Sequence, residues 1–436
     1  MFFARATMTQ ETRKPWAAIQ VIALGGFASF SAYFAMYAFR KPFTAATFDA
    51  PAGWPFELDF KIALVIAQVL GYALSKAIGI KVIAELGRKG RGAAILGLIG
   101  LAWLALVAFA LLPTSWKIAA LFLNGLPLGL IWGLVFSYLE GRRTTEALGA
   151  ILCASFILSS GFVKSVGTWT MQALAVSEYW MPAATGALFF PLLFVSVWGL
   201  TLLPPPTAQD EVERTRRAPM DGAERRSFLA RFGPGLFFLI AAYVLFTAFR
   251  DFRDNFAAEI WRAMGRGGDA AVFSLSEAPV AAIALAGLAA MMWIKSNRVA
   301  FFATHALMAT GAAAIGLSTL GYQAGILDGL AWMIATGAGL YICYTPFNAI
   351  LFERLIAASR QVGTAGFLIY LADTFGYCGS IALLFWKNFG SVRMDWLSFY
   401  TQGAYVVSGI SLVLVAASAL YFGMTLKNVA NTVQET

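Results

Sequence analysis

Blocks of about 20 apolar residues, separated by short polar stretches, recur along nearly the whole chain. Each block is long enough to cross a bilayer as a helix, and none alternates apolar and polar residues as a barrel strand does. The pattern predicts spans at 16–48, 62–84, 93–112, 118–138, 148–171 and 180–203, then at 233–256, 272–294, 299–321, 329–352, 363–385 and 397–421. Between the two sets lies LLPPPTAQDEVERTRRAPMDGAERRSFLARF, whose prolines and mixed charges do not belong in lipid. The expectation is an all-α membrane protein of about 12 transmembrane helices in two pseudo-symmetric six-helix bundles. The bundles are residues 1–203 and 232–436, with 204–231 as a cytoplasmic linker.

Composition agrees, since 59% of the 436 residues are hydrophobic and 13% charged, and the mean hydropathy is +0.71. Arg5, Arg13 and Lys14 precede a first apolar run too long for a secretory signal, so that run is read as an uncleaved span. The net charge of +9 follows mostly from topology. With both termini and the linker in the cytoplasm, inside segments hold about three times as many Lys and Arg as outside loops. That bias predicts cytoplasmic termini, and the expected location is the plasma (inner) membrane. Cys153, Cys343 and Cys378 are isolated, and His305 stands alone as a packed residue. Neither a metal site nor a disulfide framework is expected. No phosphate-cradling Gly-rich loop with a Lys-Ser/Thr pair is present, which disfavours ATP-driven transport.

Six basic residues escape the topological account: Arg40, Lys41, Lys76, Lys164, Arg250 and Arg253 lie within or at the edge of spans. The sequence YFAMYAFR, which ends at Arg40, returns about 210 residues later as YVLFTAFR, ending at Arg250. Tyr33, Tyr37, Arg40 and Thr44 are spaced to share one helix face, as are Tyr243, Thr247, Arg250 and Asp254. A charge near the bilayer centre costs about 2.5–3.5 kcal/mol, so it faces water or a partner. Matching arginines from two halves suggest a shared binding space, although snorkelling or pairing with acids would also place them. Further polar stripes are Gln68, Tyr72 and Lys76; Tyr341, Tyr344, Thr345 and Asn348; and Tyr370, Asp373, Thr374 and Tyr377. Glu277 and Asp373 are intramembrane acids suited to coupling a proton or to an ion pair. Basic groups exceed acids in the spans, which favours an anion held through bidentate arginine hydrogen bonds.

Two six-span halves around a charged linker resemble the major facilitator superfamily, and ELGRKGR after the second span is similar to its loop signature without the usual aspartate. Within it, YAFRKPF, GYALSKAIG, LFTAFRDF and SEAPVAA, with GTAGF followed by FGYCGS, resemble the organophosphate:phosphate antiporter branch. That branch includes the glycerol-3-phosphate and hexose-phosphate transporters. The resemblance implies that Arg40 and Arg250 clamp a phosphoryl group, that Lys41 and Lys76 add positive potential, and that Glu277 exchanges with the clamp. The branch's fifth-span histidine has no counterpart, because Leu158 stands there, and this leaves a different anion open. The expected function is therefore secondary active transport of a small organic anion, a phosphorylated metabolite among the candidates, by alternating access. Substrate-binding candidates are Arg40, Lys41, Arg250, Lys76, Tyr37, Tyr243, Tyr344 and Asn348. No enzyme activity, cofactor, metal or nucleic-acid partner is expected, and a monomer in the lipid bilayer suffices. The alternative from another class is a non-transporting membrane sensor of an anionic ligand.

Overall fold

The computed structural model of the chain describes residues 18–49, 51–85, 88–140, 142, 144–207, 210, 222–359, 365–390 and 394–434. The N-terminal basic residues up to Lys14, most of the predicted linker, Arg143, Arg360 and Arg393 lie outside them. The first half comprises α1 (Ala18–Tyr37), α2 (Phe60–Glu85), α3 (Arg88–Leu111), the broken span α4–α5 (Lys117–Leu128 and Ile131–Leu139), α6 (Thr145–Ala173) and the bent span α7–α8 (Met181–Leu188 and Phe190–Leu202). The second comprises α9 (Gly222–Asn255), the short α10 (Ala257–Ala263), α11 (Ala271–Met292) and α12 (Asn297–Gln323). It continues with α13 (Gly329–Ala349), the short α14 (Leu351–Ser359), α15 (Ala365–Phe389) and α16 (Trp396–Gln434).

Among the described residues, ten helical runs are long and apolar enough to cross a membrane, and α7–α8, bent by 45°, makes an eleventh. With its 26 residues, α2 is about 39 Å long and completes the expected twelve. Leu101, Leu104, Trp198, Phe237 and Val413 are exposed on the outside of the bundle, as lipid-facing residues of an integral membrane protein must be.

The helix breaks follow the chemistry of the chain. Pro127 and Gly129 interrupt the fourth span, and Pro191 sits in the first turn of α8 just past the bend. α9 starts at Gly222, inside the segment expected to be linker. Phe228 and Phe232 explain the early start, because both are buried and Phe232 packs against Phe422 of α16. Within the first half, α2 and α4 approach closely. A Cβ on Gly71 would lie 2.2 Å from Phe122 O, and one on Gly125 would lie 2.2 Å from Gln68 O. Only glycine allows that contact, the small-residue packing that membrane helices favour.

The halves meet along two seams, α6 against α11 and α2 against α15. Because successive spans reverse direction, the residues near 40, 60, 165, 255 and 270 share the end remote from the linker, called the far end below.

Candidate functional site

α1 stops at Tyr37, eleven residues before the predicted end of the first span at 48. The cause is Pro42, which lacks the N–H that the Ala38 carbonyl would accept from and whose ring crowds that carbonyl, although Lys41 itself keeps helical backbone angles. The chain tightens instead: Phe39 N bonds Met36 O and Arg40 N bonds Tyr37 O, both at 3.0 Å, before a 3₁₀ turn over Pro42–Ala45. A helix ending inside the bundle leaves carbonyls that have no water to bind. Two amides replace the water. Gln68 Nε2 donates to Arg40 O at 2.9 Å and to Asn124 Oδ1 at 2.7 Å, and Asn124 Nδ2 donates to Phe39 O at 2.9 Å. Arg40 is thus anchored through its backbone, and its side chain is left over. Thr44 does not extend the expected stripe, since it is buried in the 3₁₀ turn and donates to Lys41 O.

The Arg40 guanidinium lies 3.8 Å above the Tyr72 ring. Its Nε is buried and has no hydrogen-bond partner, and no ion pair forms with it among the described residues. From Tyr72 a continuous belt of side chains crosses to the other half. Tyr72 meets the Tyr377 ring edge-on at 5.9 Å, and Lys76 Nζ sits over both rings at 5.5 and 5.3 Å. Lys76 pairs with Asp373 Oδ2 at 2.6 Å, while Tyr243 Oη donates to Asp373 Oδ1 at 2.5 Å. Asn348 Nδ2 donates to Tyr243 Oη at 3.3 Å, and the Tyr243 and Tyr344 rings stack at 5.3 Å. Over Tyr344, at 3.8 Å, lies the Arg250 guanidinium. Tyr37 is within electrostatic reach of both arginines. Of the expected binding residues, the belt therefore gathers Arg40, Tyr37, Lys76, Tyr243, Tyr344, Asn348 and Arg250, with the acid Asp373.

The two arginines match in placement and differ in partners. Both follow a buried phenylalanine, Phe39 or Phe249, and both stack on tyrosine. Arg40 uses the neighbouring α2 and Arg250 uses α13, so the likeness of the halves does not extend to the stacking helix. Arg250 also donates to Asp251 Oδ1 at 2.6 Å, whose other oxygen accepts from Ser380 Oγ at 2.8 Å. Arg40 has no such acid among the described residues.

Lys41 and Glu277 stand apart from the belt. Lys41 is buried, donates to Asn255 Oδ1 at 2.7 Å and pairs with Asp254, which also holds Lys164 and the Ser160 hydroxyl. Glu277 pairs at 2.6 Å with Arg253, which donates also to Met333 O at 2.9 Å. Of the two readings of Glu277, the geometry displays the ion pair. Arg253 fills the space a Cβ on Gly337 would need, 2.6 Å from its Nη2. His305 is a packed residue, with Phe301 O and Ser418 Oγ on its ring nitrogens at 2.9 and 3.1 Å.

A set of polar bridges joins the halves at the far end. Lys61, expected in a loop, is buried at the start of α2 and binds both Glu259 oxygens at 2.6 and 2.8 Å. Arg262 reaches Asp49 at 2.6 Å, Ser274 Oγ bonds Ser165 Oγ at 2.7 Å, and Gln172 Nε2 donates to Gly268 O at 2.6 Å. The Asp254 cluster belongs to this set. Lys41 and Lys164 keep 7% and 3% side-chain exposure, against 23% for Lys76 in the belt. The seam is thus sealed more tightly than the belt. Sequence reasoning passed over Asn124 and Glu259, and met Asp251 and Asp254 only as acids beside Arg250. The one local signal was the doubled Arg-Asp of RDFRDN, in which each arginine is followed by an acid.

Solved structures of similar fold are transporters. A D-xylose–proton symporter is 13% identical, with 92% of this chain and 96% of that one aligned at a TM-score of 0.61. A mutant peptide transporter in complex with sulfate is 16% identical over 94% and 95% of the two chains, at 0.62. A nucleoside transporter, NupG, is 13% identical over 92% and 99%, at 0.59. At such identities the likeness is one of fold, and the fold is that of the major facilitator transporters. No curated protein matches the chain in sequence. Residues 42–425 match a family model described as "Family of unknown function (DUF5690)". The match begins at Pro42, so Tyr37, Arg40 and Lys41 precede it, and it includes the other belt residues. Covering most of the chain, it makes this protein a member of the DUF5690 family.

Proposed function

We propose that this protein is a secondary transporter that carries a small organic anion by alternating access, with Arg40 and Arg250 holding the anion from the two halves. One observation carries the reading: an arginine inside a membrane bundle, anchored by its backbone, without an acid partner among the described residues and joined by an aromatic belt to a second arginine. A lone cation in so dry a place is costly unless a ligand or water supplies the counter-charge. Guanidinium groups meet oxyanions in fork geometry, and tyrosines offer both ring faces and hydroxyls to an organic body. Residues 1–203 and 232–436 would rock about the belt in the plasma membrane, with both termini cytoplasmic, breaking and remaking the far-end bridges on each cycle. Phosphorylated metabolites fit the clamp. So do carboxylates, and Leu158 in place of a histidine keeps both classes in play.

The test is binding followed by flux. Purified protein is screened by thermal shift against inorganic phosphate, sulfate, sugar phosphates and carboxylates. The best binder is then followed into proteoliposomes by counterflow. Stabilisation by an anion that is lost in Arg40→Lys, together with saturable uptake, is expected. If no anion in the screen shifts the melting temperature, the clamp is wrong. Binding without flux would make the protein a sensor instead.

A further inference from the structure

Asp251 differs from the other intramembrane acids in sharing its cation with the anion clamp. Asp373 is held by Lys76, Glu277 by Arg253, Asp254 by Lys41 and Lys164, and Glu259 by Lys61. None of those cations belongs to the arginine pair. Asp251 leans on Arg250 itself. We propose that Asp251 is a proton-binding site linked to the anion: when an anion arrives at Arg250, Asp251 takes up one proton, and the two are carried together. This rests on the anion reading given above.

No particular pose of the anion is required. An arriving anion either displaces Asp251 from the guanidinium or joins it there. In the first case a carboxylate loses its counter-charge; in the second, two negative groups share one cation. Both disfavour the ionised form. Water gives little relief, because Asp251 keeps 14% exposure and lines a narrow, mostly apolar pocket with Val65, Val69, Phe252, Ile381 and Leu384. A carboxyl in such surroundings becomes neutral rather than remaining charged and unpaired.

The groups around Asp251 are ready for either state. Arg250 and Asn255 come from its own helix, Ser380 from α15, and α2 contributes only Val65 and Val69 to the pocket. Lys41 is within electrostatic reach but already engages Asp254 and Asn255. Ser380 Oγ donates to Asp251 Oδ2 at 2.8 Å and has a second acceptor, Gly376 O, at 3.2 Å. When Asp251 is ionised, the serine donates to it. When Asp251 carries the proton, the serine can turn its hydrogen to Gly376 O and accept from the carboxyl. The proton then sits in a hydrogen-bond chain that runs from Asp251 through Ser380 to Gly376 O.

The test uses the full chain in detergent, lightly buffered with a pH indicator, and sulfate as probe. Sulfate stays fully ionised near neutral pH, so any proton taken up on mixing goes to the protein. About one proton per sulfate bound is expected, with affinity falling about tenfold per pH unit once Asp251 is ionised in the free protein. Asp251→Asn should bind sulfate with an affinity independent of pH and take up no proton. Ser380→Ala, which leaves every charge in place, serves if that variant does not fold. It should weaken sulfate binding at low pH, where the proton is carried, and spare it at high pH. Sulfate binding without proton uptake by the wild type overturns this proposal and leaves the clamp standing. So does uptake that persists in Asp251→Asn, or a Ser380→Ala profile parallel to the wild type. Failure of sulfate and of every other anion in the screen to bind the wild type at any pH removes the clamp reading, and this proposal with it.

Discussion

The far-end seam and the central belt are built from the same residue types and use them in opposite ways. At the seam the buried charges have opposite partners across the halves: Lys61 with Glu259, and Lys41 and Lys164 with Asp254. In the belt, Lys76 and Arg250 have acids, while Arg40 stacks on Tyr72 with none among the described residues. Paired buried charges specify which surfaces meet, and removing one partner is expensive. A half-buried cation without an acid has room for a counter-charge from outside. The seam therefore defines a conformation, and the belt, in the proposed reading, awaits a ligand.

The largest effect should come from breaking the seam. Asp254→Asn leaves two buried ammonium groups facing each other without a counter-charge, at a cost of about 3–5 kcal/mol. The melting temperature should drop sharply, and a cysteine placed at Ser274 should become reactive from the far side. If both readouts match the parent, the cluster does not hold the halves together. Next comes the belt. Arg40→Lys keeps the charge but loses the fork, and should weaken oxyanion binding by about 1.5–3 kcal/mol, roughly 10- to 150-fold. Arg250→Lys should cost less, because Asp251 already competes for that guanidinium. Equal losses at the two positions would remove the asymmetry.

A smaller effect is expected one step away from the ligand. Gln68→Leu removes the donor from Arg40 O and Asn124 Oδ1 and should cost about 1–3 kcal/mol of stability. Anion affinity should fall with it, although Gln68 is not an anion ligand; unchanged affinity in a folded variant would show that the turn does not position Arg40. The smallest effect belongs to the exposed end of the seam. Arg262 and Asp49 keep 55% and 70% exposure, so Arg262→Ala should change stability by less than about 1 kcal/mol. The Arg262 hydrogen bond holds Asp49 below the usual carboxylate range. A lowered carboxyl pKa gives stability that is present at neutral pH and is lost as pH falls through the lowered value. A urea titration of parent and variant should diverge slightly at neutral pH and converge in acid.

The sequence revealed the belt better than the seam, for a physical reason. Tyr344, Asn348, Lys76 and Asp373 lie at helical spacing in apolar spans, where a polar stripe must face protein, and local periodicity suffices to find them. The repeated Tyr-x-x-x-x-Ala-Phe-Arg located both arginines by the same kind of local pattern. The seam is made of single residues 90 to 214 positions apart in sequence, as in Lys164–Asp254 and Lys41–Asn255. No period connects them. Lys61 looked like a loop residue because it stands at a span boundary, and only the packing of α10 over it reveals its burial. Pro42 was visible from the start as a helix breaker, yet the apolar run continues past it, and hydropathy alone extended the first span too far.

The backbone tether of Arg40 also has a thermodynamic consequence. Because Gln68 and Asn124 fix the turn through the carbonyls of Phe39 and Arg40, while Tyr72 lies under the guanidinium, the donor is already oriented before any ligand arrives. Freezing a long side chain on association commonly consumes about 0.5–1.5 kcal/mol of entropy. Here most of that ordering is completed during folding. The entropic part of ligand capture should accordingly be small at Arg40, and larger at Arg250, whose guanidinium must first be shared with, or released by, its neighbouring carboxylate.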